Sequence, residues 1–403
     1  MSASSFRFAH VADLHIGAGY AHGDEDAGGV NSRLVDFREA WVRSCRQMVE
    51  ERVGVVVFAG DAFRDAKPSP TEIAAFQAGL DILAAAGIEV TMILGNHDTP
   101  RATGRTNALQ MFERGLVGVI TRPCVLDGTV PIACFPWPNR AHIAAADPEF
   151  AKMSLDDQNR KMVDLSLNVI RALWAEADAL GGPFGCILVG HGSIAGSTIG
   201  ADGSTAFLRE AVLPLPELKD LPFRYQAWGH LHKAQSLGCR IRYSGSIERC
   251  DFSEAQEDKG WWLVELGDDP QEDSIEWRSS SPRPFIDIEL QEIEMYKDYG
   301  QLAINVADTV KGAVVRVKYT ATPEVARTVD HNAIRRALYA AGAVKVHGPI
   351  ANIVHTVTEE SEAVTEDTDM MTGWNEWANL QGLSGPQRER LDDKVQECLE
   401  VAP

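Results

Sequence analysis

The 403-residue chain is 45% hydrophobic and 24% charged, a composition typical of globular proteins, and its length suits one large domain with smaller additions. No stretch reaches the roughly 20 apolar residues of a membrane helix, and the N-terminus lacks a basic region followed by an apolar core, so we expect a cytoplasmic protein without a membrane segment. Seven scattered cysteines without a C-x-x-C pair argue against a disulfide framework and a zinc–thiolate site. The net charge of −20 argues against nonspecific nucleic-acid binding through an overall basic surface.

Short apolar segments alternate with longer helical patterns from residue 6 to about residue 266. Five of these segments are rich in β-branched or aromatic residues and are predicted to be buried strands: FRFAHVAD, VGVVVFAGD, IEVTMILGNHD, GCILVGHG and YQAWGHLH. Helices are predicted at residues 33–53, 69–87 and 155–182, where apolar residues recur every three to four positions. In the second helix, Ser69 and Pro70 form the start and Gly87 the stop. This alternation predicts an α/β domain.

A serine- and proline-rich segment at residues 279–285 predicts a domain boundary. Three strand patterns and one helix pattern follow, up to about residue 356, and predict a small α+β domain. Its residues 311–347 contain seven lysines and arginines against two acids, a local net charge of +5. The sequence therefore predicts three parts, residues 1–280, 285–356 and 357–403.

The C-terminal part, from residue 358 onward, carries twelve acids and three bases. Its beginning is typical of a solvated linker, and two helical patterns follow. The second helix places apolar side chains on one stripe: Leu391, Val395, Cys398 and Leu399. Such a stripe either packs on its own domain or docks on the helix of a partner, and the sequence leaves both possibilities open.

Residues that bind metals follow five of the predicted strands. They are Asp13 and His15 in ADLH, Asp61 in AGD, Asn96, His97 and Asp98 in GNHD, His191 in VGH, and His230 and His232 in GHLH. Because ligands collect at the carboxyl ends of strands in open α/β sheets, we expect these side chains to converge. Glycines at positions 60, 95, 190 and 229 precede ligand positions and allow the backbone to turn sharply close to a metal.

The predicted ligands supply nitrogen and oxygen but no thiolate, which suits manganese, iron or zinc. Seven side chains are too many for one ion. Two ions roughly 3.5–4 Å apart, bridged by one carboxylate, would use all of them and stabilise the attacking and leaving oxygens of a displacement at phosphorus. The sequence therefore predicts two divalent cations, with Mn²⁺ the favoured one. GNHD then supplies an amide ligand, a histidine over the reacting phosphate and a carboxylate that orients this histidine.

In this order, DLH, GD, GNHD, GH and GHLH resemble the calcineurin-like metallophosphoesterases over residues 6–266. The wider pattern, with ADLHIG, GDAFRDAKPSP, GNHDTP, GHLH and YSGSIERCDFSEAQEDKGWWLVEL, resembles the nuclease subunit of the double-strand-break repair complex, of SbcD and meiotic-recombination nuclease type. The resemblance implies a four-layer α/β/β/α sandwich with a small α+β capping domain and a helical C-terminal tail. It also implies a homodimeric DNA exonuclease and endonuclease whose tail binds the coiled coil of an SMC-like ATPase of SbcC type.

The resemblance also implies individual roles. One ion would be held by Asp13, His15, Asp61 and His232, and the other by Asp61, Asn96, His191 and His230. His97 would protonate or stabilise the leaving oxygen, and Asp98 would orient His97 through its other ring nitrogen. A water shared by the ions would lose its proton and act as the nucleophile.

Arg64 departs from the family pattern, because many members have a histidine three positions after the bridging aspartate. Arginine can bind a phosphate with two hydrogen bonds but cannot transfer a proton near neutral pH. Arg64 is therefore either a DNA contact or a solvated surface residue. In the capping domain, Arg316, Lys318, Arg335 and Arg336 are predicted to contact DNA phosphates.

Two other functions are compatible with the sequence. A phosphoesterase acting on a small molecule or a protein would use the same fold, although a minimal enzyme of that kind would lack the basic domain. A non-catalytic scaffold is disfavoured by the complete set of eight site side chains, which includes His97. The loop at residues 192–207 either contacts DNA or closes a turn.

Overall fold

The computed structural model describes residues 5–100, 106–198, 210–290, 306–354 and 369–401. Its strands are β1 (Ser5–Val11), β2 (Val55–Phe58), β3 (Glu89–Ile93), β4 (Val117–Ile120), β5 (Cys124–Leu126), β6 (Ile132–Phe135), β7 (Ile187–His191), β8 (Ser193–Ile194), β9 (Val212–Leu213), β10 (Tyr225–Gly229), β11 (Gln235–Ser236), β12 (Ile241–Tyr243), β13 (Gly260–Gly267), β14 (Ser274–Ser279), β15 (Phe285–Leu290), β16 (Val314–Ala321) and β17 (Lys345–Ile353). Its α-helices are α1 (Ser32–Glu50), α2 (Pro70–Ala85), α3 (Arg140–Ala146), α4 (Leu155–Leu180), α5 (Leu215–Lys219), α6 (Pro323–Ala326), α7 (His331–Ala340), α8 (Met370–Leu380) and α9 (Gly385–Val401).

Two six-stranded sheets form the centre of the large domain, with strand orders β14-β13-β1-β2-β3-β4 and β11-β12-β10-β7-β6-β5. In the first sheet, β1 to β4 are parallel and β13 and β14 are antiparallel. In the second sheet, β12, β10, β7 and β6 are parallel, and the edge strands β11 and β5 are antiparallel. The carboxyl ends of the parallel strands carry the predicted site residues.

Three hydrophobic clusters hold the layers together. One lies between the two sheets and contains Phe8 of β1 and Tyr225 of β10, whose rings meet edge to face at 5.5 Å. A second lies between the first sheet and helices α1 and α2, where Trp41 stacks on Phe76. The third joins the second sheet to α4. The layers therefore follow the predicted α/β/β/α order.

Helix boundaries agree with the sequence signals. Ser69 caps α2 in a reciprocal capping box with Glu72, and Pro70 occupies the first turn. Gly87 follows this helix with φ of 75°, a conformation that favours glycine. In α1, residues Phe37, Trp41 and Cys45 recur every four positions and are fully buried.

The structure also contains strands that the sequence patterns did not reveal. Strand β6 has only four residues between two prolines, and β14 lies just before the predicted domain boundary. Such short segments give too few residues for a period to be recognised. Within the described ranges, none of the helices combines the length and apolar content needed to cross a membrane.

The chain divides into two compact units. The first comprises Met1–Leu290, Tyr296–Lys318 and Asp330–Ile350, and the second comprises Gln291–Met295, Tyr319–Val329 and Ala351–Pro403. The three predicted strands after the boundary form a sheet of order β15-β16-β17, and α7 buries Ile334 and Leu338. This sheet and α7 are called the cap below. The three-part domain division stays a prediction.

The second unit contains the C-terminal helices α8 and α9, both of which the sequence predicted. Trp374 donates from Nε1 to Asp392 Oδ1 at 2.6 Å, and Arg388 lies over the Trp374 ring. Leu391 and Val395 of the predicted stripe are half-buried. The side chains of Cys398 and Leu399, most of the acidic linker and residues 199–207 of the predicted loop lie outside the described residues.

Candidate metal centre

The loops after five parallel strands bring the seven predicted ligands together at one edge of the two sheets. Asp61 Oδ2 lies 3.5 Å from His15 Nε2 and 3.4 Å from His191 Nε2. The rings of His15 and His232 are 4.5 Å apart. The backbone N–H of His230 donates to Asp13 at 2.9 Å, which joins the first and last of these loops.

The backbone at this edge adopts conformations that ordinary residues avoid. Asp13, His15, Asp61 and His230 have positive φ values of 53°, 45°, 59° and 106°. Non-glycine residues in this region are uncommon and often mark functional sites. Gly229 lies so close to the next loop that a Cβ atom there would be 2.1 Å from the carbonyl oxygen of Ala59. The strained backbone conformations therefore coincide with the place where the predicted ligands meet.

Around Asn96, two ring nitrogens lie within hydrogen-bond distance of the side-chain oxygen. His191 donates from Nδ1 to the carbonyl of Ala59 at 2.6 Å, and its Nε2 lies 2.9 Å from Asn96 Oδ1. His230 uses Nε2 to donate to Glu210 at 2.9 Å, so its Nδ1 is an acceptor 3.0 Å from the same oxygen. Asp61, His191 and His230 each place one ligand atom within 4.8 Å of the other two, a spacing that one cation can bridge. The donor set therefore fits a metal ion.

His15 supplies a second indication. Its Nε2 atom is buried and has no hydrogen-bond partner, although buried polar atoms are almost always paired. Burial lowers the pKa of His15 well below its ordinary value, so the ring is neutral and the lone pair is available to a metal. Two groups of closely spaced donors share Asp61: one with His15 and His97, the other with His191 and His230. This arrangement suits two cations bridged by Asp61.

Asp61 and His191 shift each other's pKa in opposite directions. Burial alone would lower the pKa of His191, but the carboxylate of Asp61 outweighs burial and raises this pKa to about 9. Burial alone would raise the pKa of Asp61, but His191 and His15 lower it well below its usual range. Asp61 is therefore ionised, and a cation would replace the proton on His191.

The predicted contact between Asp98 and His97 is wrong. Asp98 is buried, and its carboxylate accepts from the backbone N–H groups of Asp61, Ala62 and Gly95 at 2.7–3.1 Å. Burial and the charge of Asp61 raise the pKa of Asp98 to about 7, against the effect of these hydrogen bonds. Asp98 thus ties the loop after β2 to the loop after β3. His97 donates from Nδ1 to the carbonyl oxygen of Arg64 at 2.5 Å instead.

His97 lies beside the predicted ligands His15 and Asp61. Its side chain is exposed, and its ring lies edge to face against His15 at 4.7 Å. Its backbone N–H donates to Asp61 Oδ1 at 2.8 Å. Because Nδ1 is occupied by the Arg64 carbonyl, Nε2 is the atom that can give a proton to a substrate.

The sequence model described as calcineurin-like phosphoesterase matches residues 6–234, which is more than half of the chain. The chain belongs to the calcineurin-like phosphoesterase family. Its fold is therefore the metallophosphoesterase sandwich, and the predicted class of metal-dependent phosphoesterase is confirmed at the level of the family.

Several relatives of this phosphoesterase carry the name DNA double-strand break repair protein Mre11. The protein from Haloferax volcanii is 28% identical over 290 residues, 70% of this chain and 54% of the relative. The protein from Archaeoglobus fulgidus is 28% identical over 255 residues, 62% of this chain and 52% of the relative. The protein from Methanocaldococcus jannaschii is 24% identical over 303 residues, 72% of this chain and 71% of the relative. The chain thus spans about half the length of the first two.

A solved structure of a dimetal phosphatase from Danio rerio aligns with a TM-score of 0.41 at 12% identity, covering 69% of this chain and 97% of that chain.

The phosphoesterase places the five predicted DNA contacts in different surroundings. Arg64 donates to the Gly17 carbonyl at 3.2 Å and keeps 52% of its side chain exposed. Arg316 makes two hydrogen bonds to Asp287, at 2.6 and 2.7 Å, and is 28% exposed. Lys318 lies 3.7 Å from the same carboxylate. Arg316 and Lys318 therefore share one counter-ion.

The other two cations lie on helix α7 of the cap. Arg335 donates to the carbonyl oxygen of Gly348 at 2.6 Å. Arg336 is 72% exposed and lies 3.8 Å from Asp330. Both side chains face solvent on neighbouring positions of one helix.

Sequence reasoning missed three side chains that touch the predicted ligands of this phosphoesterase. Glu210 contacts His230, and Glu254 contacts His232 at 2.6 Å. Trp137 lies against both His230 and His191, with ring centroids 5.2 and 5.9 Å away. Glu254 lies in the segment YSGSIERCDFSEAQEDKGWWLVEL, which carries the subfamily resemblance, so the resemblance could have pointed to this residue. Glu210 and Trp137 lie outside every motif.

Proposed function

We propose that this protein is a metal-dependent nuclease that hydrolyses phosphodiester bonds of DNA in double-strand-break repair. The site supports this proposal through its two groups of donors around Asp61, which suit the two-cation chemistry of phosphoester hydrolysis. The relatives with the Mre11 name support the choice of DNA as substrate. Endonuclease and exonuclease action are both part of the proposal.

The predicted ligands would hold two divalent cations, and Mn²⁺ is the proposed metal. One ion would lie among Asp13, His15, Asp61 and His232, and the other among Asp61, Asn96, His191 and His230. When bound, these cations would neutralise phosphate charge and lower the pKa of a water molecule.

The protein's own residues position the substrate and move the proton. The side chain of His97 is exposed and its Nδ1 is held by the Arg64 carbonyl, so its Nε2 would protonate the leaving oxygen of the cleaved strand. The Arg64 carbonyl fixes the ring of His97 by accepting from Nδ1. This role uses the backbone of Arg64, so it does not depend on the side chain that departs from the family pattern. The guanidinium of Arg64 donates to the Gly17 carbonyl and stays half-exposed, so its remaining N–H groups would contact a neighbouring phosphate.

The cap would hold the DNA by its phosphates. Arg335 and Arg336 offer two cations at adjacent positions of α7, and Lys318 lies 40% exposed on β16. Contacts of this kind position a duplex without reading its sequence. A minimal phosphoesterase would not need this surface.

The proposed assembly is a homodimer that works with an SMC-like ATPase of SbcC type. The exposed apolar side chains of α8 support the partner: Met370 is 68%, Trp377 50% and Leu380 51% exposed. Apolar side chains at helical spacing are typical of a face that packs against another helix. Light scattering of the purified protein measures the dimer, and removal of residues 369–403 measures the contribution of the tail to ATPase binding.

The decisive experiment is hydrolysis by the purified full chain with MnCl₂. The substrates are linear duplex DNA, single-stranded DNA and a generic aryl phosphodiester. His97→Ala is the inactive variant, and His142→Ala is the matched control because His142 is an exposed histidine of α3. We expect DNA cleavage by the wild type and by His142→Ala, and its loss in His97→Ala.

Two results would contradict the proposal. Cleavage of the aryl diester with both DNA substrates left intact would favour a small-molecule phosphoesterase. Equal DNA cleavage by His97→Ala would trace the activity to a contaminant or to another site.

A further inference from the structure

The two histidines of GHLH present opposite ring nitrogens to the predicted metal centre. His230 lies with Nδ1 toward Asn96 at 3.0 Å, whereas its Nε2 lies 2.9 Å from Glu210 Oε2. His232 has the reverse arrangement, with Nδ1 lying 2.6 Å from Glu254 Oε1. An imidazole with one N–H held by a carboxylate has its tautomer and its ring orientation fixed.

We propose that Glu254 and Glu210 are positioning residues, each of which fixes one histidine of GHLH so that the correct ring nitrogen faces its metal ion. Neither glutamate belongs to the predicted ligand set. The inference rests on the metal-binding part of the proposed function, and it assigns to each glutamate a different ion.

Glu254 is buried, and contacts at both carboxylate oxygens fix its side chain. It is 6% exposed and lies in the short 3-10 turn Phe252–Glu254. Its Oε2 atom accepts from the backbone N–H of Cys250 at 2.8 Å and lies 3.0 Å from Lys259 Nζ. Its Oε1 atom is thereby left for His232. The carboxylate is held at both oxygens, so it can hold the imidazole in turn.

Lys259 connects this contact to the backbone of the histidine. Its side chain is fully buried, and Nζ donates to the carbonyl oxygen of His232 at 3.0 Å. The same nitrogen lies 2.8 Å from Glu257 Oε2. A buried ammonium group with two carboxylates and a carbonyl is fully satisfied, which gives the turn a single arrangement.

Glu210 plays the corresponding part at His230. Its Oε2 atom accepts from Ser193 Oγ at 2.9 Å as well as from His230. Ser193 is 1% exposed and lies two residues after His191. The glutamate is therefore anchored to the loop that carries the other histidine of the same predicted ion.

Titration of the metal-free full chain with MnCl₂ tests the inference, with calorimetry as the readout. We expect two bound ions in the wild type. Loss of a carboxylate that orients a metal-binding histidine typically weakens affinity by about 10- to 100-fold. Glu254→Ala should weaken one of the two ions by this factor and Glu210→Ala the other, whereas Glu210→Gln should retain most of the affinity because one amide oxygen can still accept from both His230 Nε2 and Ser193 Oγ.

Glu257→Ala is the matched control. Glu257 is also buried and also pairs with Lys259, but its carboxylate contacts the lysine and not His232. Either substitution leaves Lys259 with one carboxylate. We expect Glu257→Ala to bind both ions with wild-type affinity, so an equal loss in Glu257→Ala and Glu254→Ala would overturn the inference.

A double-substitution cycle separates positioning from general stability. If Glu254 acts through His232, then Glu254→Ala should cause no further loss of Mn²⁺ affinity in a His232→Ala background. An equal fold-change in both backgrounds would overturn the positioning role, as would a wild type that binds no Mn²⁺. These titrations contain no DNA. A wild type that binds two ions but leaves DNA intact would refute the nuclease proposal and leave this inference standing.

Discussion

The guanidinium of Arg316 in the cap lies over the ring of Phe252, 4.3 Å from its centroid, on the turn that also carries Glu254. Two hydrogen bonds to Asp287 hold the guanidinium there. We therefore expect Arg316→Ala to destabilise the cap, with about 1 kcal/mol from the cation–π contact alone. A lower melting temperature with an unchanged salt dependence of DNA binding would agree with this role. An unchanged melting temperature with weaker DNA binding would contradict it.

Arg336 should behave in the opposite way, because its side chain is 72% exposed and its nearest acid lies 3.8 Å away. Loss of one phosphate contact reduces the slope of log affinity against log salt by about one unit. We expect Arg336→Ala to show this reduction in fluorescence-anisotropy titrations with duplex DNA at several salt concentrations, and to keep the wild-type melting temperature. Unchanged slopes would remove Arg336 from the DNA-binding surface.

The pair His22 and His347 should make the stability of the protein depend on pH. His22 Nδ1 lies 3.1 Å from His347 Nε2, which allows a hydrogen bond only when one ring has an acceptor nitrogen. Burial, His347, Arg33 and Arg316 lower the pKa of His22 to about 4, while Asp251 acts in the opposite direction. An unfolded histidine titrates near pH 6.5.

These two pKa values determine whether stability rises or falls with pH. Between about pH 6.5 and pH 4, the unfolded chain binds a proton at His22 that the folded protein does not bind, so stability falls as the pH falls through this window. We expect the melting temperature of the wild type to decrease more steeply from pH 7 to pH 4 than that of His22→Gln, which carries no titrating ring. Parallel curves for the two proteins would refute the contribution of His22.

The predicted ligands were accessible to sequence reasoning because each one follows a strand of recognisable pattern, and parallel strands end at one edge. The contacts that orient them were not accessible. The acceptor for His97 is a backbone carbonyl, which leaves no mark on residue identity. The assignment of Asp98 to His97 failed because adjacent residues in a tight turn point apart, and Asp98 satisfies three backbone N–H groups instead.

A count of charges in a segment does not reveal which of these charges form ion pairs. The basic balance of residues 311–347 correctly locates a cationic segment, but the count does not show that Arg316 is paired with Asp287, a residue outside the counted range. Pairing depends on the register of β15 beside β16, which only the fold defines. Consecutive helix positions project about 100° apart, and both Arg335 and Arg336 are exposed on α7.

Removal of one partner from the buried ion pair of Arg33 and Glu248 should destabilise the protein. The two side chains are 1% exposed and 3.2 Å apart, and Arg33 also pairs with Asp36 at 2.5 Å. A buried charge left without any partner costs about 3–5 kcal/mol. Because Arg33 keeps Asp36 as a partner, we expect urea unfolding of Glu248→Gln to show a smaller loss, of about 1–3 kcal/mol. As a control, Glu265→Gln breaks the ion pair of Arg7 and Glu265, whose side chains are 36% and 28% exposed. This substitution should cost less than about 1 kcal/mol.

Gly229 should tolerate no side chain, because its neighbours are the backbone and the metal centre. A Cβ atom there would lie 2.1 Å from the Ala59 carbonyl and 2.9 Å from His191 Nδ1, and this carbonyl is the acceptor that orients His191. Gly229→Ala must push the loop after β2 away from β10 and so separate Asp61 from His191. We expect reduced Mn²⁺ binding together with a lower melting temperature. Gly118→Ala is the matched control, since Gly118 lies in β4 with no atom within 4 Å of its Cβ position. Wild-type Mn²⁺ affinity in Gly229→Ala would show that the contact between these two loops does not set the geometry of the centre.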